Sequence, residues 1–254
     1  MSVLEVLAIV LAGLAAGTIN TIVGSGTLVT FPVLLLFGYA PVSANISNSL
    51  GLVPGGVAGT WGYRHELRSL GPMLWRLGPA SLVGSVIGAL LLLVLPAAAF
   101  ETIVPVLILV ALLLVVLGPR LQRWAARRHA DRITPGRWVA LVVGILLSGV
   151  YGGYFGAAQG VLLLGIMSIL LPLGLQQING IKNVLATIAN LVAALVFLVV
   201  APDLVDWTVV LLIGIGSILG GLLGARVGRR LPPAVLRGVI VVIGTVAIVN
   251  LLLT

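Results

Sequence analysis

Cysteine is absent from the 254 residues, which rules out disulfides and thiolate metal sites. Acidic residues number six, histidines two, and Lys182 is the only lysine. Charged side chains make up 8% of the chain, against about 25% in an ordinary soluble domain. That is too little polar side chain to cover a water-facing surface. The groups an enzyme needs are missing as well. Gly24-Ser25-Gly26 superficially suggests a serine nucleophile, but a nucleophile needs a base within reach, and His65 and His129 both sit in charged loops. There is no phosphate-binding loop followed by lysine and no cluster of metal ligands, so neither a metal nor a cofactor is expected. Glu5, Glu66, Glu101, Asp131, Asp203 and Asp206 all fall at termini or in expected loops. Coupling to protons or sodium through an acid buried in the membrane is therefore not evident.

What is abundant is apolar: 60% of residues are hydrophobic and 33 are glycine. Runs such as 73–96 and 207–228 are long enough to span a bilayer as helices, which takes about 20 residues each. Glycine at this density suits close helix approach in lipid. The expected fold is an all-α integral membrane protein. Ten apolar segments are expected, near 3–23, 27–38, 42–63, 72–95, 103–117, 138–156, 159–173, 177–200, 206–228 and 234–253. The amino terminus has no basic stretch, so the first run reads as a retained span.

The segments fall into two related halves, 1–118 and 138–254, joined by a basic linker at 119–137. Gly78, Gly84, Gly88 and Ala89 meet Gly214, Gly220, Gly224 and Ala225 at an offset of 136. Gly17 and Gly24 meet Gly149 and Gly156 at 132, and Asn45 and Ser49 meet Asn179 and Asn183 at 134. The net charge of +8 is carried between the apolar runs, so it reads as topology-setting loop charge rather than a nucleic-acid surface. If each half crosses an odd number of times, Arg64, Arg68, Arg76, the linker arginines, Arg226, Arg229, Arg230 and Arg237 all face the cytoplasm. The loops at 38–41, 96–102 and 201–206, which lack lysine and arginine, then lie outside. The halves become inverted copies, an arrangement common among secondary transporters.

The second segment of each half is short. Residues 27–38 make about 18 Å of helix, against a hydrocarbon core of about 30 Å. Both short segments follow glycine-rich breaks, at 23–27 and 151–160. Interruptions at matching places in two halves point to a transport site, and unwound backbone at membrane depth must be buried in protein or line a cavity. The two breaks are expected to meet near the midplane. Each third segment opens with a polar cluster, in which Asn45 with Ser49, and Asn179 with Asn183, share a helix face. Amide, hydroxyl and backbone N–H donors near helix starts suit an anion. Lys182 either draws an anion into the pathway or snorkels to the inner surface. Asn20 and Asn190 are expected to bond between helices.

The broken first segment, the run Asn45-Ile46-Ser47-Asn48-Ser49, their counterparts in the second half and the Gly-x-x-Ser-x-x-Gly-x-x-x-Gly fourth segments together resemble the TauE/SafE sulfite exporter family over nearly the whole chain. The resemblance implies an inner-membrane transporter of bacteria or archaea, with sulfite, a sulfonate or another small organosulfur anion as substrate. The longer glycine run of the family is reduced here to Gly24-Ser25-Gly26-Thr27 and Gly156-Ala157-Ala158-Gln159, which introduces Ser25, Thr27 and Gln159 as donors. The expected substrate site comprises Gly24, Ser25, Gly26, Thr27, Asn45, Ser49, Gly156, Gln159, Asn179, Lys182 and Asn183. Expected partners are a small anion and the lipid bilayer, without nucleic acid; a homodimer stays open. An inside-negative potential of about 100 mV favours exit of a monovalent anion by about 2.3 kcal/mol. Export is the expected direction, with an anion channel or a coupled sulfonate importer as alternatives.

Overall fold

The computed structural model describes residues 1–126 and 134–227, with positions 238, 241, 242 and 245. Ten α-helices run through them: α1 Val3–Ile22, α2 Thr27–Leu36, α3 Pro41–Gly62, α4 Arg64–Leu67, α5 Gly71–Val94, α6 Ala97–Ala126, α7 Pro135–Tyr154, α8 Gln159–Leu170, α9 Leu175–Val200 and α10 Trp207–Val227. Local signals set several starts. Ser2 and Glu5 cap α1 reciprocally. Thr134 accepts from Arg137 N ahead of Pro135 in α7.

Six of the helices are long and apolar enough to cross a membrane. Their outward faces are apolar too: Leu82, Val83, Ile87, Leu90 and Leu91 of α5 are all exposed. Such a surface is a liability in water and the ordinary outer face of a protein in lipid. The chain is a multi-pass membrane protein. The 22-residue α3 is long enough to span as well, at about 33 Å. Its opening turns are polar, yet Asn45, Ser47, Asn48 and Ser49 are all buried. The polarity therefore faces the protein interior.

α2 folds back along α1. A Cβ built on Gly26 would stand 2.3 Å from Ala16 O, and Tyr39 beyond α2 donates to Glu5 in the first turn of α1 at 2.8 Å. Burial and that carboxylate together raise the Tyr39 pKa. α1 and α2 thus form a hairpin with its tip at 23–26. α7 and α8 do the same, with Gln159 at the head of α8 donating to Ser148 O at 3.1 Å. Positions 16 and 148 are related by the offset of 132 found in the sequence.

The two hairpins are held by helices of the opposite half. α1 packs on α10, α7 packs on α5, and α3 and α9 lie between them. The contacts recur at the sequence offsets. A Cβ on Gly84 would meet Leu146 O at 2.2 Å, and one on Gly220 would meet Leu14 O at 2.1 Å. Ser81 Oγ donates to Leu185 O at 3.0 Å, and Ser217 Oγ to Gly51 O at 2.9 Å. At these crossings two backbones touch, which only glycine permits. Edge-to-face contacts of Phe31 with Phe100 and Phe155 then fix α2 against the second break.

Four expectations change. The loop expected at 96–102 is helical from Ala97, because no breaker follows Pro96, and this places Glu101 on α6. α6 runs on to Ala126 and α7 starts at Pro135, so helix covers both ends of the expected 119–137 linker. The helical turn α4 was not anticipated. α9 starts at Leu175 rather than 177, with Gln177 accepting from Gly174 N at 3.1 Å. Apart from positions 238, 241, 242 and 245, the segment expected at 234–253 lies outside the described residues, as do Arg229, Arg230 and Arg237.

The glycine crossings generate a stability prediction. Gly84→Leu and Gly220→Leu have nowhere to place a side chain, and overpacking costs about 1–3 kcal/mol or more. Both should lower the unfolding temperature of the detergent-purified protein. Gly136→Ala, where nothing lies within 4 Å, should leave it unchanged.

Candidate substrate site

The helices stop at the breaks because the backbone turns there into the left-handed region. Gly24 has φ +89° and Gly156 φ +76°, values that cost glycine nothing. Ala158 carries φ +59° without that exemption. The two tips touch: Gly160 N donates to Gly24 O at 3.0 Å. A Cβ on Gly160 would stand 2.4 Å from Gly24 Cα, so the crossing needs glycine on both sides.

Each exposed helix end is then satisfied from the other half. Asn179 Nδ2 donates to Thr21 O at 3.2 Å and to Tyr63 Oη at 2.7 Å. Asn183 Nδ2 also reaches Thr21 O, at 3.2 Å. Lys182 Nζ donates to Asn20 O at 2.7 Å and Thr21 O at 3.2 Å. These groups complete the carboxyl end of α1, where carbonyls lack helical partners and the dipole favours a cation. At the end of α7, Asn45 Nδ2 donates to Tyr154 O at 3.0 Å. Asn48, at the position matching Lys182, accepts from Thr30 and donates to Thr27 Oγ1 at 3.4 Å. One half thus carries an ammonium where the other carries an amide. Lys182 is 0% exposed, so it does not snorkel.

Between the tips lies a cavity of about 30 Å³, lined by Asn20, Thr21, Gly24, Thr27, Leu52, Gly56, Gly156, Gln159, Gly160, Asn183, Ala186, Thr187 and Asn190. It takes in the amino ends of α2 and α8 together with amides and hydroxyls. Among the described residues, no acidic side chain is in its walls. Its volume suits about two water molecules, so a sulfur oxyanion would require it to widen.

Of the expected site residues, Gly24, Thr27, Gly156, Gln159 and Asn183 line this cavity. Asn45, Asn179 and Lys182 stand behind it and hold the breaks. Ser49 bonds within its own helix, to Asn45 O at 2.9 Å. Gly26 N donates to Asn20 Oδ1 at 2.6 Å, and Ser25 is fully buried with its hydroxyl unpartnered among the described residues. Asn20 and Asn190, expected only to bond between helices, are wall residues. Thr21, Gly56 and Thr187 were missed. Thr187 was within reach of the sequence: Asn179, Asn183, Thr187 and Asn190 follow helical spacing and form one polar stripe along α9. Gly56 matters through that residue, since a Cβ on it would lie 2.6 Å from Thr187 Oγ1.

Comparison with known proteins finds membrane transporters. The family model described as sulfite exporter TauE/SafE matches residues 9–251. A probable membrane transporter protein, ORF9, of a Sinorhizobium species is 28% identical over 246 residues, which is 95% of this chain and 90% of that protein. A probable membrane transporter protein of Haemophilus influenzae is 28% identical over 91% of this chain and 88% of its own length. The probable membrane transporter protein YfcA of Escherichia coli is 28% identical over 93% and 86%. No solved structure gives a significant match.

Gly160→Ala should force the tips apart and lower anion flux at least about tenfold, since displacement of positioned groups by a fraction of a bond length has effects of that size. Gly174→Ala, in ordinary contact at 3.7 Å, should not. Asn45→Ala frees the Tyr154 carbonyl at one break, at a cost of about 1–3 kcal/mol, and Asn179→Ala removes one of the three donors to the Thr21 carbonyl at the other. Both should impair flux while the protein still purifies as a folded species.

Proposed function

The chain belongs to the sulfite exporter TauE/SafE family, and from that premise we propose that it exports a small sulfur oxyanion, sulfite or an organosulfonate, across the cell membrane. Family and relatives are transporters, not enzymes. The observation that carries the reading is the cavity where Gly24 and Gly160 cross, walled by donors and the starts of two helices. Helix amino ends and amide N–H groups suit an anion. The fully buried Lys182 adds positive potential one residue behind the wall.

The cavity in its present width favours alternating access over an open pore. The reciprocal packing of α1 on α10 and α7 on α5 supports two inverted copies that rock about α3 and α9. The arginine distribution supports a cytoplasmic linker. Membrane potential then drives an anion outward without a coupling ion.

The test is flux into proteoliposomes containing purified protein alone. Sulfite or methanesulfonate flux should saturate with concentration and rise when the same anion is supplied on the far side. Flux that stays linear, with no exchange acceleration, would indicate a channel. Absence of flux for every small oxyanion tried would refute anion transport.

A further inference from the structure

Lys182 is the only lysine in the chain and is fully buried in a helix. Its ammonium bonds to two carbonyl oxygens, Asn20 O and Thr21 O, and among the described residues it makes no ion pair. A charge in such surroundings is normally matched by an opposite one. The carbonyl end of a helix supplies about half a negative charge. In its protonated form the side chain is therefore incompletely neutralised.

Its position relative to the cavity is specific. Both residues whose carbonyls it holds are cavity walls. Its stem passes the tip of the other hairpin: Lys182 Cδ would lie 2.9 Å from a Cβ on Gly160. Lys182 thus touches both broken hairpins at the point where they cross. The matching residue of the other half, Asn48, is neutral and bonded to Thr27 and Thr30. The two halves accordingly differ at this pair of positions, with a basic side chain in one and a neutral amide in the other.

We propose that Lys182 is an exchangeable counter-charge: its ammonium latches the end of α1 while the cavity is narrow, and is taken over by a singly charged anion that enters. The transfer has two consequences. It sets charge selectivity, because a neutral molecule of the same shape gives the ammonium no reason to leave the carbonyls. It also links occupancy to opening, because a ligand shifts a conformational equilibrium only through differential interaction with the two states. Withdrawal of the ammonium frees Asn20 O and leaves Thr21 O to Asn179 and Asn183, which loosens the α1 tip at the moment the anion binds. The choice of ligand rests on the anion-transport reading; the latch itself does not.

The natural absence of cysteine permits a direct test. Ala186→Cys places a single thiol in the cavity wall, and its reaction with a small methanethiosulfonate reagent reports opening. In the chain with native Lys182, labelling should be slow and should accelerate about tenfold or more with methanesulfonate, but not with dimethyl sulfone, its uncharged analogue. Adding Lys182→Met should give fast labelling without any ligand and no response to methanesulfonate. Lys182→Gln, which keeps a donor for the carbonyls, should label slowly and also ignore methanesulfonate; it covers the case in which the methionine variant does not fold. Slow unliganded labelling in a folded Lys182→Met protein overturns the latch. A native-sized response to methanesulfonate in either variant overturns the counter-charge. Fast labelling in Lys182→Met, combined with no response of the native-lysine protein to any anion, would leave the latch standing and remove the anion-transport reading instead.

Discussion

A helix cannot end inside a membrane unless something receives its unpaired backbone groups. In this protein α1 and α7 end at buried glycine breaks, and the rest of the architecture follows from how those ends are satisfied. The hydrogen bond from Gly160 N to Gly24 O closes one hairpin tip on the other. Asn179, Asn183 and Lys182 receive the end of α1, and Asn45 receives the end of α7. Water would ordinarily do this work; in lipid the opposite half of the chain has to do it. Every one of these contacts crosses between halves. A carrier built this way cannot move one half without breaking polar bonds at the centre, which is where a substrate can replace them.

Close approach is the second requirement, and glycine meets it. Where α5 crosses α7 and α10 crosses α1, backbone meets backbone, and the serines of those helices reach across to carbonyls. Because the same contacts recur at the offsets seen in the sequence, the two crossings are equivalent pieces of structure. Against that equivalence the difference between Lys182 and Asn48 stands out. A duplicated frame with lysine in one half and asparagine in the other has a built-in asymmetry, and the lysine sits where the hairpins touch.

Much of this was legible beforehand, for physical reasons. Apolar runs and glycine breaks are strong signals, so the short α2 and α8 and the breaks before them fall where the sequence placed them. The polar openings of α3 and α9 were also visible, but their task was only half visible. Asn45 and Asn179 read as ligand donors, whereas their amides are occupied by the carbonyls of the opposing hairpins. Sequence shows that a residue can donate; it does not show which acceptor reaches it first. Thr21 and Gly56 were unreadable for the same reason, since each matters through a neighbour more than a hundred residues away in sequence. α6 began earlier than expected because Glu101 and Thr102 look like loop residues, yet nothing after Pro96 stops a helix.

The most direct test of the central claim is the position of a bound anion. Selenite, a close analogue of sulfite with a strong anomalous scatterer, can be diffused into crystals of the purified protein and located by anomalous diffraction. One selenium peak between the hairpin tips, within hydrogen-bond reach of Thr27, Gln159 or Asn183, is the expected result. Peaks confined to surface arginines, with none at the crossing of Gly24 and Gly160, would contradict it.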